Sequence, residues 1–329
     1  MIELVAGAIN WDVTLFVDEF PKAGEEVKVK KVIDVAGGKG ANVAVASARI
    51  LRNNNNDNYD NNKDRKVGIL GALGNDAIGD KQMSILEQEG IDVSCIKRFS
   101  VQSGQAYILV DKRGENIILT YKAVNDMLRA EILDEEHISN ALKDVKHVVV
   151  IDPPIDFASS LIDKARALDK RVTWAPALLT RLGYDALKDS IHKIDYLILN
   201  EHECLTLTNS NDVMQGVKTL KARRVIVTLG SKGCIMHWGN NTLLVPAFDL
   251  NAIGMQVKST VGAGDVLIGA FVALLLRGYG EAESLFLANI AAALKVAKEE
   301  TRASPYYSEL VSILDNPLVS KLIREIKVI

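Results

Sequence analysis

The sequence predicts an α/β protein with three layers: a mainly parallel central sheet flanked by helices, and a small β-sheet beside it. Three observations carry that expectation. Short β-branched runs alternate with longer helical stretches along most of the chain, as expected for crossover units in a parallel sheet buried on both faces. Glycine-rich or polar turns follow several of those strands, and open α/β sheets hold ligands at such strand ends. Two stretches break the alternation and read as hairpins.

The expected strands are residues 3–8, 66–70, 147–151, 171–174, 196–199, 225–228 and 234–237, with helical patterns at 41–51, 80–88, 157–168 and 212–221. The stretches out of rhythm are 13–35 and 105–121. Each reads as two antiparallel strands around a turn, at 21–24 and 112–114. Together, about 13–35 and 103–123 suggest a two-segment lid on a single domain spanning 1–329. The segment "NNNNDNYDNNKDRK", 53–66, is polar and low in complexity. It cannot bury apolar area to offset its ordering entropy, so it reads as a flexible insertion.

Composition excludes several classes of function. The 329 residues carry a net charge of −3 with scattered lysines and arginines, whereas a nucleic-acid binder usually has a basic face. Cys95, Cys204 and Cys234 are far apart and odd in number, so a reducing cytoplasm is expected. The start "MIELVAGAIN" has no basic region before its apolar residues and reads as a strand, not a signal peptide. The longest apolar run, 266–276, is shorter than the roughly 20 residues of a membrane span. Neither nucleic acid nor membrane is an expected partner.

The most informative stretch is "STVGAGDVLIGAFVALLL", 259–276. Free N–H groups and the positive end of the dipole lie at a helix start, and glycines admit a bulky anion. Gly262, Ala263 and Gly264 therefore suit a phosphate. Asp265, kept ionised by the dipole, suits a base that takes a proton from an attacking hydroxyl. The same residues also read as a tight turn with a solvated N-terminal aspartate. In "DVAGGKGAN", Gly37, Gly38 and Gly40 bring backbone near a polar ligand, with Lys39 and Asn42 as donors, or serve helix packing. This loop matches neither a Walker A nor a dinucleotide fingerprint. Asn10 and Asp12 of "GAINWD" are placed at a strand end, where a carboxylate suits two sugar hydroxyls. Asn200 and Glu203 of "NEHE" have the oxygen chemistry for a water-rich Mg2+. "TLGSKG", 228–233, is either a phosphate contact or a plain turn.

Taken together, these motifs resemble the ribokinase-like (PfkB) family of carbohydrate and nucleoside kinases over nearly the whole chain. "GGKGAN" and "TVGAGD" carry the resemblance most specifically, supported by "NWD", "GALGNDAIG", "NEHE", "TLGSKG" and "ANIAAALKVA". The resemblance implies the ribokinase-like fold and transfer of the γ-phosphoryl group of ATP to a small sugar, with ribose favoured by "GGKGAN". Asp265 would be the base, and Gly262, Ala263 and Gly264 the anion hole. Asn10, Asp12, Gly38, Lys39, Asn42 and Asp152 would bind sugar. Thr228, Gly230, Ser231, Gly233 and Asn289 would line the nucleotide site, with Asn200 and Glu203 organising Mg2+ and phosphates. The family's lid often forms a dimer interface, so a homodimer is expected. Relatives usually carry aspartate where this chain has Ser259, and that aspartate helps hold a monovalent cation. With Ser259 there, weak or absent potassium dependence is expected. A phosphorylated sugar would call for an extra cation, for which the lid offers Lys28, Lys30, Lys112 and Arg113.

Overall fold

Side-chain alternation along the first strand sets the architecture. In β1 (Glu3–Gly7), Val5 enters one core cluster while Leu4 and Ala6 enter the other. A strand apolar on both faces needs helices on both. The structure, a computed structural model, describes residues 1–52, 66–314 and 327–328. Apart from Lys66, the insertion expected at 53–66 lies outside the described residues.

The chain continues through β2 (Asn10–Phe16), β3 (Lys31–Gly37), α1 (Lys39–Leu51), β4 (Val67–Gly74), α2 (Ala77–Gln88) and β5 (Ile96–Phe99). Next come β6 (Gly104–Val110), β7 (Asn116–Tyr121), α3 (Glu136–Asp144), β8 (His147–Ile151), α4 (Ile155–Ala167), β9 (Arg171–Ala175) and α5 (Tyr184–Ile191). The remainder is β10 (Tyr196–Asn200), α6 (Glu201–Thr208), α7 (Val213–Thr219), β11 (Val225–Thr228), β12 (Cys234–Trp238), β13 (Asn241–Val245), α8 (Ala263–Arg277), α9 (Glu281–Val296), α10 (Tyr307–Leu314) and β14 (Lys327–Val328). The large sheet has the order β14-β13-β12-β11-β10-β9-β8-β1-β4-β5. It is parallel from β11 to β5 and antiparallel from β11 to β14. Helices α1, α8 and α9 pack on one face, and α4, α6 and α7 on the other.

Four strands form a second sheet, β3-β2-β6-β7. Its two hairpins are antiparallel, and β2 joins β6 in parallel register from Asn10↔Gly104 to Phe16↔Val110. The sequence pattern missed β5, β13 and β14. These are short strands at the edge of the large sheet or in its antiparallel end, where the alternation with helices stops.

Helix α8 is apolar around nearly its whole circumference because α1 and α9 enclose it. Close approach to α1 requires Gly269: a Cβ there would lie 2.5 Å from the Val43 carbonyl oxygen. The N-terminus of α8 is therefore held by a rigid core.

One buried polar tie joins sheet to helix. Ser47 Oγ of α1 donates to Glu3 Oε2, and Glu3 Oε1 is buried without a partner. Burial pushes the Glu3 carboxyl up to about 8, against the lowering effect of the Ser47 bond. The folded state thus holds a proton that the unfolded chain releases near the ordinary 4.5. Its stabilising effect is complete below that value and is lost as pH rises towards about 8. Glu3→Gln should abolish this dependence and stabilise the protein by on the order of 3 kcal/mol at pH 7. Urea unfolding at pH 5 and pH 8 checks it: a wild-type minus variant difference that does not change with pH is the contrary result.

Candidate active site

Two adjoining clefts lie at the C-terminal edge of the large sheet. One, of about 670 Å³, runs between that edge and the small sheet. Asp152, Asn200, Glu203 and Thr228 line it from below, and Asn10, Asp12, Ile108, Ile118 and Thr120 from the small sheet. The other, of about 530 Å³, is lined by Thr228, Gly230, Ser231, Gly233, Ala263 and Asn289. Thr228 and Gly264 belong to both, and Asp265 faces the first. All the site residues expected from the sequence thus gather at one junction, in two groups.

The junction is built by the start of α8. Gly262 caps the helix with φ +82° and no side-chain hydrogen bond. A Cβ there would sit 2.5 Å from the Thr301 carbonyl oxygen, so only glycine fits. The anion hole expected from Gly262, Ala263 and Gly264 needs one correction. The Ala263 N–H turns back to the Thr260 carbonyl at 3.2 Å. The donors left for an anion are those of Gly262, Gly264 and Asp265. Gly264 differs from Gly262: its φ is not positive, and a Cβ there would meet nothing within 4 Å. No contact among the described residues requires this glycine. What it leaves is open space in front of the helix end.

Asp265 is half-buried and accepts a 2.8 Å hydrogen bond from Asn42 Nδ2. Asn42 Oδ1 in turn accepts from Arg302 Nε at 3.2 Å. Buried Arg302 also donates to the Gly37 carbonyl at 2.7 Å and to Gln82 Oε1. Asn42, expected to touch sugar, lines the cleft and orients Asp265 with one of its two amide N–H groups. Asp265, expected to be kept ionised by the dipole, is also subject to desolvation. Burial raises its pKa above the ordinary value, with Lys39 and the Asn42 bond opposing that shift. A carboxylate so raised is a better proton acceptor.

Asn10 and Asp12 do not end β1. They begin β2, so the first strand of the small sheet carries them over the cleft. Gly37, opposite Asn10 in β3, makes room: a Cβ there would lie 2.0 Å from Asp12 Oδ2. Burial pushes Asp12 up to about 7, with Arg302 lowering it, Asp265 raising it and Lys39 lowering it. Asn10 Oδ1 accepts from Asn125 Nδ2 at 2.9 Å, and Asn125 also bonds both backbone groups of Ile9. Asp152 is buried at φ +57° just beyond β8, 3.5 Å from Lys122. Burial raises its pKa while Lys122 and Lys39 lower it. Gly38, at φ +93°, caps α1 directly before Lys39, which reaches the same cleft. Burial alone would lower the Lys39 pKa. Asp265, Asp152, Glu203 and Asp12 outweigh it, and the net shift is upward.

On the other side, Asn200 and Glu203 form a capping box at the start of α6. Asn200 Oδ1 accepts from the Glu203 N–H at 2.8 Å, and Glu203 Oε2 from the Asn200 N–H at 2.9 Å. This leaves Glu203 Oε1 for the cleft. Among the described residues no three His, Cys, Asp or Glu side chains gather to hold a metal ion. A lone carboxylate suits Mg2+ only where phosphates and water complete its shell. Asn289 is bound to a neighbouring loop: its Nδ2 donates to the Pro246 carbonyl at 2.7 Å. The lid cations expected to serve a phosphorylated sugar are elsewhere. Lys30, Lys112 and Arg113 pair with Asp18, Glu19 and Asp111, and none of these, nor Lys28, lines the cleft. Arg181 does line it, without a carboxylate partner among the described residues. Sequence reasoning missed Arg302, Lys122 and Arg181 because no local pattern marks them.

A helix N-terminus, a carboxylate beside it and a cleft on each side fit a phosphoryl-transfer site on an α/β scaffold. The family model for pfkB carbohydrate kinases matches residues 4–306. The chain belongs to that family, and it is a sugar kinase. It is 30% identical over 314 residues to an ATP-dependent ribose-1-phosphate kinase of Halopiger xanaduensis, covering 94% of this chain and 97% of that one. It is also 30% identical over 297 residues to a ribokinase of Lactococcus lactis, covering 89% and 90%. The crystal structure of a Thermotoga maritima ribokinase superposes with a TM-score of 0.82 at 27% identity, covering 96% and 100%.

Gly264→Ala separates folding from binding. The fold should hold or gain up to about 1 kcal/mol, since alanine is the better helix former. Nucleotide affinity should fall by at least about tenfold, because the added methyl enters the anion's space. Urea unfolding and titration calorimetry with a non-hydrolysable ATP analogue check both, and unchanged affinity for that analogue is the contrary result.

Proposed function

We propose that this sugar kinase moves the γ-phosphoryl group of ATP to a hydroxyl of a pentose, ribose in the first instance. The observation that carries this reading is the position of Asp265. It stands between the two clefts, at a helix end with free N–H donors, and its pKa is raised. Supporting it are the relatives that act on ribose or its phosphate. In this reading Asp12, Asp152 and Lys39 hold the sugar hydroxyls. Asp265 accepts the proton of the attacking hydroxyl as the oxygen–phosphorus bond forms and the bond to ADP breaks. The Gly264 and Asp265 N–H groups hold the charge on the transferring group. Glu203, beside Asn200, is the residue for Mg2+, which when bound neutralises phosphate charge. The small sheet closes the cleft through Ile118 and Thr120, excluding water as a competing acceptor. Three free, buried cysteines suit a cytoplasmic setting.

Arg181 favours a second acceptor. An unpaired guanidinium in the sugar cleft suits a pentose that already carries phosphate. A panel of ribose, ribose 1-phosphate, cytidine, adenosine and fructose 6-phosphate, followed by ADP release, decides among them. Predominant nucleoside turnover overturns the pentose assignment. Asp265→Asn should lower kcat by roughly 10²–10⁴, and turnover within about threefold of wild type removes Asp265 from the role of base.

The outer face of the small sheet exposes Val32, Tyr107, Ile117, Leu119 and Tyr121. A contiguous apolar face of this kind suits a second copy of the chain, so we read the lid as a homodimer interface. Leu119→Lys should then halve the mass measured by light scattering after size exclusion. A wild-type protein that is already monomeric at micromolar concentration overturns the dimer.

A further inference from the structure

Lys295 is fully buried near the end of α9, where its chain neighbours are Leu294 and Val296. Burying an ammonium is costly unless it is paired. No carboxylate lies within ion-pair distance of it among the described residues. Its Nζ donates instead to the Ser259 carbonyl, at 3.0 Å. Ser259 belongs to the turn that leads into α8. The end of α9 grips that turn a second time: the N–H groups of Lys258 and Ser259 both donate to the Val296 carbonyl, at 2.8 and 3.1 Å. Burial lowers the Lys295 pKa to about 8, and the nearby charge of Asp265 opposes that shift. The ammonium thus stands behind the same turn whose front faces the ligand clefts.

The partner is a backbone carbonyl, which carries no charge to cancel that of the ammonium. A serine whose carbonyl accepts the hydrogen bond leaves a full positive charge beside the anion site. Core packing gives no reason for the charge, since methionine has similar length and no desolvation cost.

We propose that Lys295 is a positioning residue for phosphoryl transfer: its ammonium is a tethered internal cation that holds the 259–265 turn and lends it positive charge, the part a diffusible monovalent cation would otherwise play. The inference rests on the kinase reading for its catalytic consequence, and on the turn alone for its structural one. The charge acts through the turn, so its loss should lower kcat more than it changes KM for the sugar.

The test compares wild type with Lys295→Met and Lys295→Ala. Lys295→Met should keep or raise the melting temperature while amide hydrogen exchange at 259–265 quickens and kcat falls about tenfold or more. Lys295→Ala leaves a cavity behind the turn, and added ammonium, methylammonium or potassium should restore much of its kcat. The same salts should leave wild type within about twofold of its rate in tetramethylammonium at equal ionic strength. Wild-type exchange and kcat in Lys295→Met overturn the proposal. So does a Lys295→Ala enzyme that none of these cations rescues, or a wild type that potassium strongly activates. A wild type that phosphorylates no sugar fails the kinase reading, while the exchange comparison still decides the role of Lys295.

Discussion

The site depends on one constraint: the N-terminus of α8 must stay still while presenting unpaired N–H groups and a carboxylate to two clefts. Its rigidity comes from below, where α1 and α9 enclose an apolar helix and Gly269 lets α1 approach closely. Its orientation comes from the side, through the chain of hydrogen bonds from Arg302 to Asn42 to Asp265. Phosphoryl transfer proceeds through a loose transition state, so catalysis consists mostly of positioning and charge stabilisation. A helix end anchored in the core supplies the first, and its free donors the second.

Electrostatics explains why the surrounding residues occur together. Asp12, Asp152, Glu203 and Asp265 share a desolvated cleft, and burial raises the pKa of each. Lys39 stands among them and opposes every one of those shifts. Buried Arg302 opposes the shift of Asp12 and braces the glycine loop through the Gly37 carbonyl. Without these cations the carboxylates would take up protons and lose their capacity to accept them. The cationic groups thus keep a crowded acidic site chemically useful, and several of them lie far from it in sequence.

Local patterns revealed much of this architecture. Parallel strands and their helices were legible because a strand buried on both faces is apolar throughout, as 148–151 and 225–227 are. The two hairpins were legible because their polar turns interrupt that pattern. Asp265 and its glycines stood out because an apolar helix rarely opens on such residues. Other features were illegible for a common reason. Arg302, Lys122 and Lys295 each act on a partner distant in sequence, Arg181 only lines the cleft, and an isolated basic residue looks like any solvated one. The placement of Asn10 and Asp12 in β2 escaped notice because β1 and β2 are separated by only two residues.

The sequence by itself indicated the fold class and, through motifs that resemble a known family, the kinase reading and the proposed base, because each is written in local pattern: apolar strands alternating with helices, glycines before a helix, a carboxylate in its first turn. Tertiary structure alone decided which donors remain free at the anion site, that Asn42 serves Asp265, and that Lys295 lies buried behind Ser259. Those are questions of which polar groups burial leaves paired. Burial is set by packing among segments tens to hundreds of residues apart, which no local pattern encodes.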